Sequence, residues 1–349
     1  DRDMASMVLR DRNHPSVVMW SIGNEVDYPN DPYSHPILNG SEFNQPVSGG
    51  YDPKKPNAER LGPIGKRLSG VIRGIDTSRP VTGALAGVIM TNETDYPKYL
   101  DVVGYNYTEN RYEADHKKYP ERILYGSENG HGYSAWKAVR DNEYIFGQFI
   151  WTGLDYLGES NAWPSRGFNS GMIDLAGHIK PRGYFRMAMW KDEPVTYIGT
   201  YRQPANSRRG LSDSALPLWN YQEGDTVRVV CYTNCPQSQL ILNGKAVGEP
   251  KNHDDNTGII NWDIPYSAGK LEVAGLKDGR EAARYSIQTS GRPQRIIAVP
   301  DKTSARTDKD LVHVELQITD KDGIPVILAD DEITCTIKGP ARLLGMESA

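Results

Sequence analysis

Near residue 192 the sequence changes rhythm, and the two rhythms demand different folds. Before that point, short β-branched or aromatic runs at Val17 to Ile22, Val81 to Leu85, Val102 to Tyr107, Ile123 to Ser127 and Ile145 to Trp151 alternate with helical patterns. The fullest of these spans residues 58 to 75, where Leu61, Ile64, Leu68, Val71, Ile72 and Ile75 share one helical face. Gly62, Pro63 and Gly65 weaken its first turn. Residues 1 to 12, 134 to 143 and 181 to 190 are the other helical patterns. Such repetition specifies a parallel sheet covered by helices. A closed eight-stranded barrel takes about 250 residues, so residues 1–192 read as part of a TIM (β/α)8 barrel holding about five C-terminal strands. Because the chain opens inside a helical pattern, upstream strands are expected to be missing.

From residue 193 strands and tight turns take over, and the fold class becomes α/β plus all-β. Val227 to Thr233, Ser238 to Asn243, Gly258 to Ile264, Leu271 to Ala274 and Ala283 to Gln288 are the expected strands, with a hairpin turn at Asn243-Gly244. Residues 193–290 therefore read as an immunoglobulin-like β-sandwich. Residues 291–349 read as the start of a second sandwich, truncated, with runs at Ile296 to Val299, Leu311 to Thr319 and Glu332 to Lys338. Asp320-Lys321-Asp322-Gly323 lacks the remaining ligands of a calcium loop and reads as a turn.

Composition excludes several classes. A net charge of −5 argues against a nucleic-acid binder working by bulk charge. No apolar run approaches the ~20 residues of a membrane span, and residues 1 to 15 lack a signal-peptide core. Cys231, Cys235 and Cys335 have no metal-site spacing and read as buried thiols.

The chemistry is carried by strand ends. Arg10 to Glu25 runs Arg-Asp-Arg-Asn-His-Pro-Ser-Val-Val-Met-Trp-Ser-Ile-Gly-Asn-Glu. It delivers an amide, Asn24, and a carboxylate, Glu25, to a strand's C-terminal tip, where α/β barrels assemble active sites. A second carboxylate, Glu128, ends the run Arg122 to Gly130. Two carboxylates at the mouths of different strands suit glycoside hydrolysis, one donating a proton to the leaving oxygen and one attacking the anomeric carbon. Either alone is weak, since many glutamates end strands as surface residues.

The run from Asn13-His14-Pro15-Ser16 to Gly23-Asn24-Glu25 resembles the acid/base signature of glycoside hydrolase family 2, which holds bacterial β-galactosidases, β-glucuronidases and β-mannosidases. Asp101 to Tyr107, Gly126-Ser127-Glu128, Phe149-Ile150-Trp151, and Gly171 to Asp174 before Lys180-Pro181 match in the family's order. The resemblance implies that Glu25 is the general acid/base and Glu128 the nucleophile of a retaining exo-β-glycosidase. Asn24 matches the amide that binds the sugar's 2-hydroxyl, and Trp151 the aromatic floor. Tyr107 matches the tyrosine that holds the nucleophile, with Tyr105 as the alternative. His14 either touches the site or, by the stronger reading, caps a turn. Trp163, in a later loop, either stacks on sugar or pins that loop.

Between Asp27 and Pro56 lie 30 residues with six prolines and three glycines, a loop long enough to shape access to a pocket. Asp27, Tyr28, His35 and Glu42 are its candidate sugar contacts, against a solvated lip that makes none. The β-glucuronidase pattern needs an Asn-x-Lys element after the tryptophan, and Phe168-Asn169-Ser170-Gly171 lacks that lysine. A neutral β-galactoside is therefore the preferred carbohydrate substrate, with a β-glucuronide as alternative. No cofactor or metal is required. The resemblance favours a periplasmic or secreted location and leaves a homo-oligomer open. The other class of reading is a carbohydrate-binding fragment without turnover, and a partial barrel by itself is expected to be inactive.

Overall fold

The computed structural model describes residues 1–40, 50–203, 210–306 and 309–347, in two compact units, Asp1–Trp151 and Thr152–Ala349. Residues 152–192, which the sequence rhythm joins to the barrel, fall in the second unit.

The first unit runs α1 (Arg2–Asp11), β1 (Trp20–Asn24), α2 (Leu61–Arg73), β2 (Val81–Leu85), α3 (Val88–Thr91), β3 (Val102–Asn106), α4 (Tyr112–Lys118), β4 (Ile123–Asn129), α5 (Tyr133–Arg140) and β5 (Ile145–Ile150). The strands form one parallel sheet in chain order. β2 and β3 are buried at every position, as parallel strands covered on both faces must be. Val8 of α1 and Leu61 and Ile72 of α2 pack against Trp20, Ile22, Val81, Leu85, Val103 and Leu124 in one core.

β1 starts later than its Val17-Val18-Met19 run suggests. The Val17 carbonyl accepts from Arg79 Nε at 2.7 Å instead of joining the ladder, and pairing begins where Trp20 N meets the Pro80 carbonyl. At that N-terminal end Asp76 gathers Trp20 Nε1, the Ser78 backbone N–H and hydroxyl, and Arg79 Nη1 at 2.6 to 3.0 Å. At the C-terminal end the register shifts three times, between Ser21 and Asn24, Tyr105 and Asn106, and Gly126 and Asn129. Such irregularities end the pairing and re-aim side chains.

The second unit begins with a small ribbon, β6 (Tyr156–Leu157) and β7 (Gly167–Phe168), then α6 (Pro181–Trp190). β8 (Thr196–Arg202), β9 (Thr226–Thr233), β10 (Gln237–Leu242), β11 (Lys245–Ala246), β12 (Lys251–Asn252), β13 (Ile259–Pro265), β14 (Lys270–Lys277) and β15 (Arg280–Gln288) follow. They make two sheets, β13-β9-β8 and β11-β10-β14-β15 with β12 beside β10. Ile198, Val229 and Trp262 from one sheet meet Leu240, Val273 and Ile287 from the other in a shared core, which is the sandwich arrangement. β8 escapes a sequence reading because Gly199 interrupts its run. A Cβ there would lie 2.4 Å from the Ala215 carbonyl oxygen, so the glycine serves the close approach of a neighbouring segment.

β16 (Arg295–Pro300) and β17 (Val314–Thr319) form a separate antiparallel pair. The strand expected at Glu332 to Lys338 is not formed. That segment pairs with no sheet among the described residues, so its alternating side chains go uncovered, and Cys335 is exposed rather than buried. Cys231 and Cys235 are buried thiols. The Asp320 carboxylate accepts from the Gly291, Asp322 and Ile324 backbone N–H groups, which makes the segment a turn.

Candidate active site

The C-terminal tips of β1, β3 and β4 bring polar side chains together. Glu25 and Tyr107 each follow a strand with positive φ, 53° and 52°, a conformation that side chains with a Cβ seldom adopt. Both therefore leave the alternation of their strands and turn over the sheet's edge. The turns are anchored by backbone bonds, Glu25 N to the Ala84 carbonyl at 2.9 Å and Tyr107 N to the Glu128 carbonyl at 2.8 Å.

Asn106 sits at the centre. Its Nδ2 lies 3.1 Å from Asn24 Oδ1, 3.1 Å from Glu25 Oε1 and 3.4 Å from Glu128 Oε2. The Ser127 hydroxyl donates to Asn106 Oδ1 at 2.6 Å, so the amide's oxygen is held away and its nitrogen faces three acceptors. A flipped amide would set its oxygen against two carboxylates. Because one nitrogen reaches both acids, their nearest oxygens lie within about 6.5 Å of each other, a bound that admits the ~5 to 5.5 Å of a retaining pair.

Glu128 is held from a second side by Tyr107, whose hydroxyl donates to Oε1 at 2.6 Å. Partial burial, then the hydrogen bond to Glu128 and the charges of Glu128 and Glu25, push the Tyr107 phenol well above its ordinary value. Tyr107 is thus a standing donor. Behind it Asn129 is fully buried and donates to Gln148 Oε1 at 3.1 Å.

The other expected residues lie elsewhere. Tyr105 has no exposed surface and donates to Asp115 Oδ2 at 2.8 Å. It does not share a face with Tyr107, because the left-handed step at Tyr107 breaks the strand period. His14 is exposed, before the N-terminal end of β1, with its backbone in turn bonds to Asp11 and Val17. Trp151 follows β5, 40% exposed, with its backbone N–H on the Asn129 carbonyl. Trp163 belongs to the second unit and is 84% exposed. In the long loop, Asp27 is fully buried and His35 Nδ1 accepts from Ile37 N, so both serve the backbone. Tyr28 is half-buried, and Glu42 lies outside the described residues. Asn106 and Ser127 are the residues that sequence reasoning missed; their signal was a polar side chain at a strand tip, the same one that singled out Glu25. Among the described residues no cluster of three or more His, Cys, Asp or Glu could hold a metal ion.

The family model described as "Glycosyl hydrolases family 2, TIM barrel domain" matches residues 2–152, and "Glycoside hydrolase family 2 C-terminal domain 5" matches residues 296–349. The chain belongs to glycoside hydrolase family 2. A model described only as a domain of unknown function matches residues 224–283 between them. Among family 2 relatives, the β-galactosidase BoGH2A of Bacteroides ovatus is 28% identical over an alignment that takes in 100% of this chain and 45% of that protein. A putative β-glucuronidase of Formosa agariphila is 24% identical, with 99% of this chain and 35% of that protein aligned. The crystal structure of a family 2 member from Bacteroides cellulosilyticus superposes with a TM-score of 0.75 and 34% identity, covering 94% of this chain and 41% of that one. The chain thus spans less than half the length of these relatives, and its five parallel strands are strands of the family's TIM-barrel domain.

Proposed function

We propose that the whole protein is a retaining exo-β-glycosidase, with Glu128 as nucleophile, Glu25 as acid/base and terminal β-D-galactosides as substrates. The observation that carries this reading is the single amide nitrogen of Asn106 within reach of both carboxylates. Glu128 attacks the anomeric carbon and forms the glycosyl-enzyme ester, while Glu25 gives its proton to the departing oxygen. Water then attacks the same carbon, Glu25 takes the water's proton, and the Glu128 carboxylate is released. Tyr107 and Asn106 donate to Glu128 and hold it aimed before reaction. Asn24 meets the 2-hydroxyl, and Trp151 lies beneath the sugar.

A neutral sugar is supported by the lack of the uronate-gripping lysine in Phe168-Asn169-Ser170-Gly171 after Trp151. Lys180, the first lysine after Trp151, is bonded to both Asp155 oxygens at 2.9 Å and to the Asn169 carbonyl at 2.7 Å. A cation so engaged is poorly placed to grip a uronate. The relatives' names divide between β-galactosidase and β-glucuronidase, so the test compares the two sugars. The whole protein should hydrolyse nitrophenyl β-galactoside with a kcat/KM at least about tenfold above that for the β-glucuronide. The reverse order would give the site to uronates, and binding of galactosides with turnover of neither would make the protein a lectin-like binder.

A further inference from the structure

We propose that Asp27 is the positioning residue for the acid/base carboxylate, clasping the turn after β1 in the conformation that aims Glu25. The inference rests on the glycosidase reading above. Asp27 lies two residues past Glu25 and has no exposed surface, an expensive place for a carboxylate unless donors meet it. Three of its donors come from one short segment after β2. Ala86 N reaches Oδ1 at 3.0 Å, Gly87 N reaches Oδ2 at 3.0 Å, and the Thr91 hydroxyl also donates to Oδ2. The two segments pack so closely that a Cβ on Gly87 would lie 2.3 Å from the Asp27 carbonyl oxygen.

Glu25 itself is tied to the same segment, through its N–H on the Ala84 carbonyl at 2.9 Å. Residues 25 and 27 are therefore both fastened to residues 84–87, one on each side of Val26. That double attachment holds Glu25 at φ 53°, where a residue with a Cβ stays only if its surroundings over-determine it. Losing the Asp27 half would let the turn relax toward negative φ. The Glu25 carboxyl would then swing from Asn106 and from the oxygen it must protonate.

The test uses Asp27→Asn, Thr91→Val and Thr91→Ser in the whole protein, with a phenyl and a 2,4-dinitrophenyl β-galactoside. The first substrate needs protonation of its leaving group and the second does not. In Asp27→Asn and Thr91→Val, kcat/KM for the phenyl substrate should fall about 10- to 100-fold and that for the dinitrophenyl substrate less than about threefold. Thr91→Ser, which keeps the hydroxyl, should stay near the unsubstituted value on both. Equal losses on the two substrates, as a smaller folded fraction would give, overturn the proposal, and so does no loss on either. If the unsubstituted protein hydrolyses neither substrate, the β-galactosidase reading itself falls, an outcome seen before any substitution is made.

Discussion

Tyr107 is bonded to Glu128 twice, by its hydroxyl to the carboxylate at 2.6 Å and by its backbone N–H to the carbonyl at 2.8 Å. The second bond locks the tip of β3 to the tip of β4, and the first makes use of that lock. The ring can reach the neighbouring strand's side chain because the backbone at Tyr107 has already turned to φ 52°.

Tyr107→Phe should therefore lower kcat by about 10- to 100-fold, since a hydrogen bond to a charged group contributes about 1.5 to 3 kcal/mol. The pH profile gives the sharper check. With its proton held more tightly than that of an ordinary phenol, because of burial and the acids beside it, Tyr107 stays protonated throughout the working range. The Phe variant should lower the plateau and leave the alkaline limb at the same pH. A displaced alkaline limb would show that Tyr107 titrates in catalysis.

Asn106→Asp tests the central amide. The replacement is nearly isosteric, but it removes both N–H donors and sets a third carboxylate between Glu25 and Glu128. Loss of about 100-fold or more in kcat/KM is expected, with Asn106→Ala retaining more activity than Asn106→Asp because it adds no charge. Steady-state kinetics on nitrophenyl β-galactoside decides the order of the two variants.

The acids should fail in different ways. Glu128→Gln should abolish turnover, and Glu25→Ala should be partly rescued by azide on a substrate with a good leaving group, because azide needs no general base to attack the glycosyl-enzyme. High residual activity in Glu128→Gln, with no rescue of Glu25→Ala, would remove the assignment.

At the other end of the sheet, Asp76 sets an acid sensitivity. Hydrogen bonds from Ser78, Trp20 and Arg79 hold its carboxyl well below the usual range. The folded value lies under the unfolded one of about 3.9, so its stabilisation is complete above pH ~4 and drains away as pH falls toward the folded value. Asp76→Asn should lower the unfolding temperature at pH 7 and flatten its decline below pH ~4, as read by circular dichroism at a series of pH values. A parallel shift at every pH would show that the carboxylate's charge is immaterial.

The sheet was legible because its strands are short apolar runs, and β1, β3 and β4 stop at polar tips. The same stops drew attention to Glu25 and Glu128. What sequence could not supply is what depends on backbone direction or on pairing. Tyr105 and Tyr107 differ by two positions, and only the left-handed step tells which one meets Glu128. Asn106 stood in the quoted Asp101 to Tyr107 run, yet its role at the centre comes from Ser127 fixing the amide's orientation. Gly199 hid β8 by propensity, while the alternation at Glu332 to Lys338 suggested a strand for which no partner is in place among the described residues.

The most direct test of the paired carboxylates is to react the whole protein with a 2-deoxy-2-fluoro-β-galactosyl donor bearing a good leaving group, then map any adduct by mass spectrometry. One galactosyl group per chain, on the peptide containing Glu128 and absent in Glu128→Gln, is the expected result. A label on another carboxylate, or an active enzyme that yields no adduct and releases the α-anomer first, would contradict it.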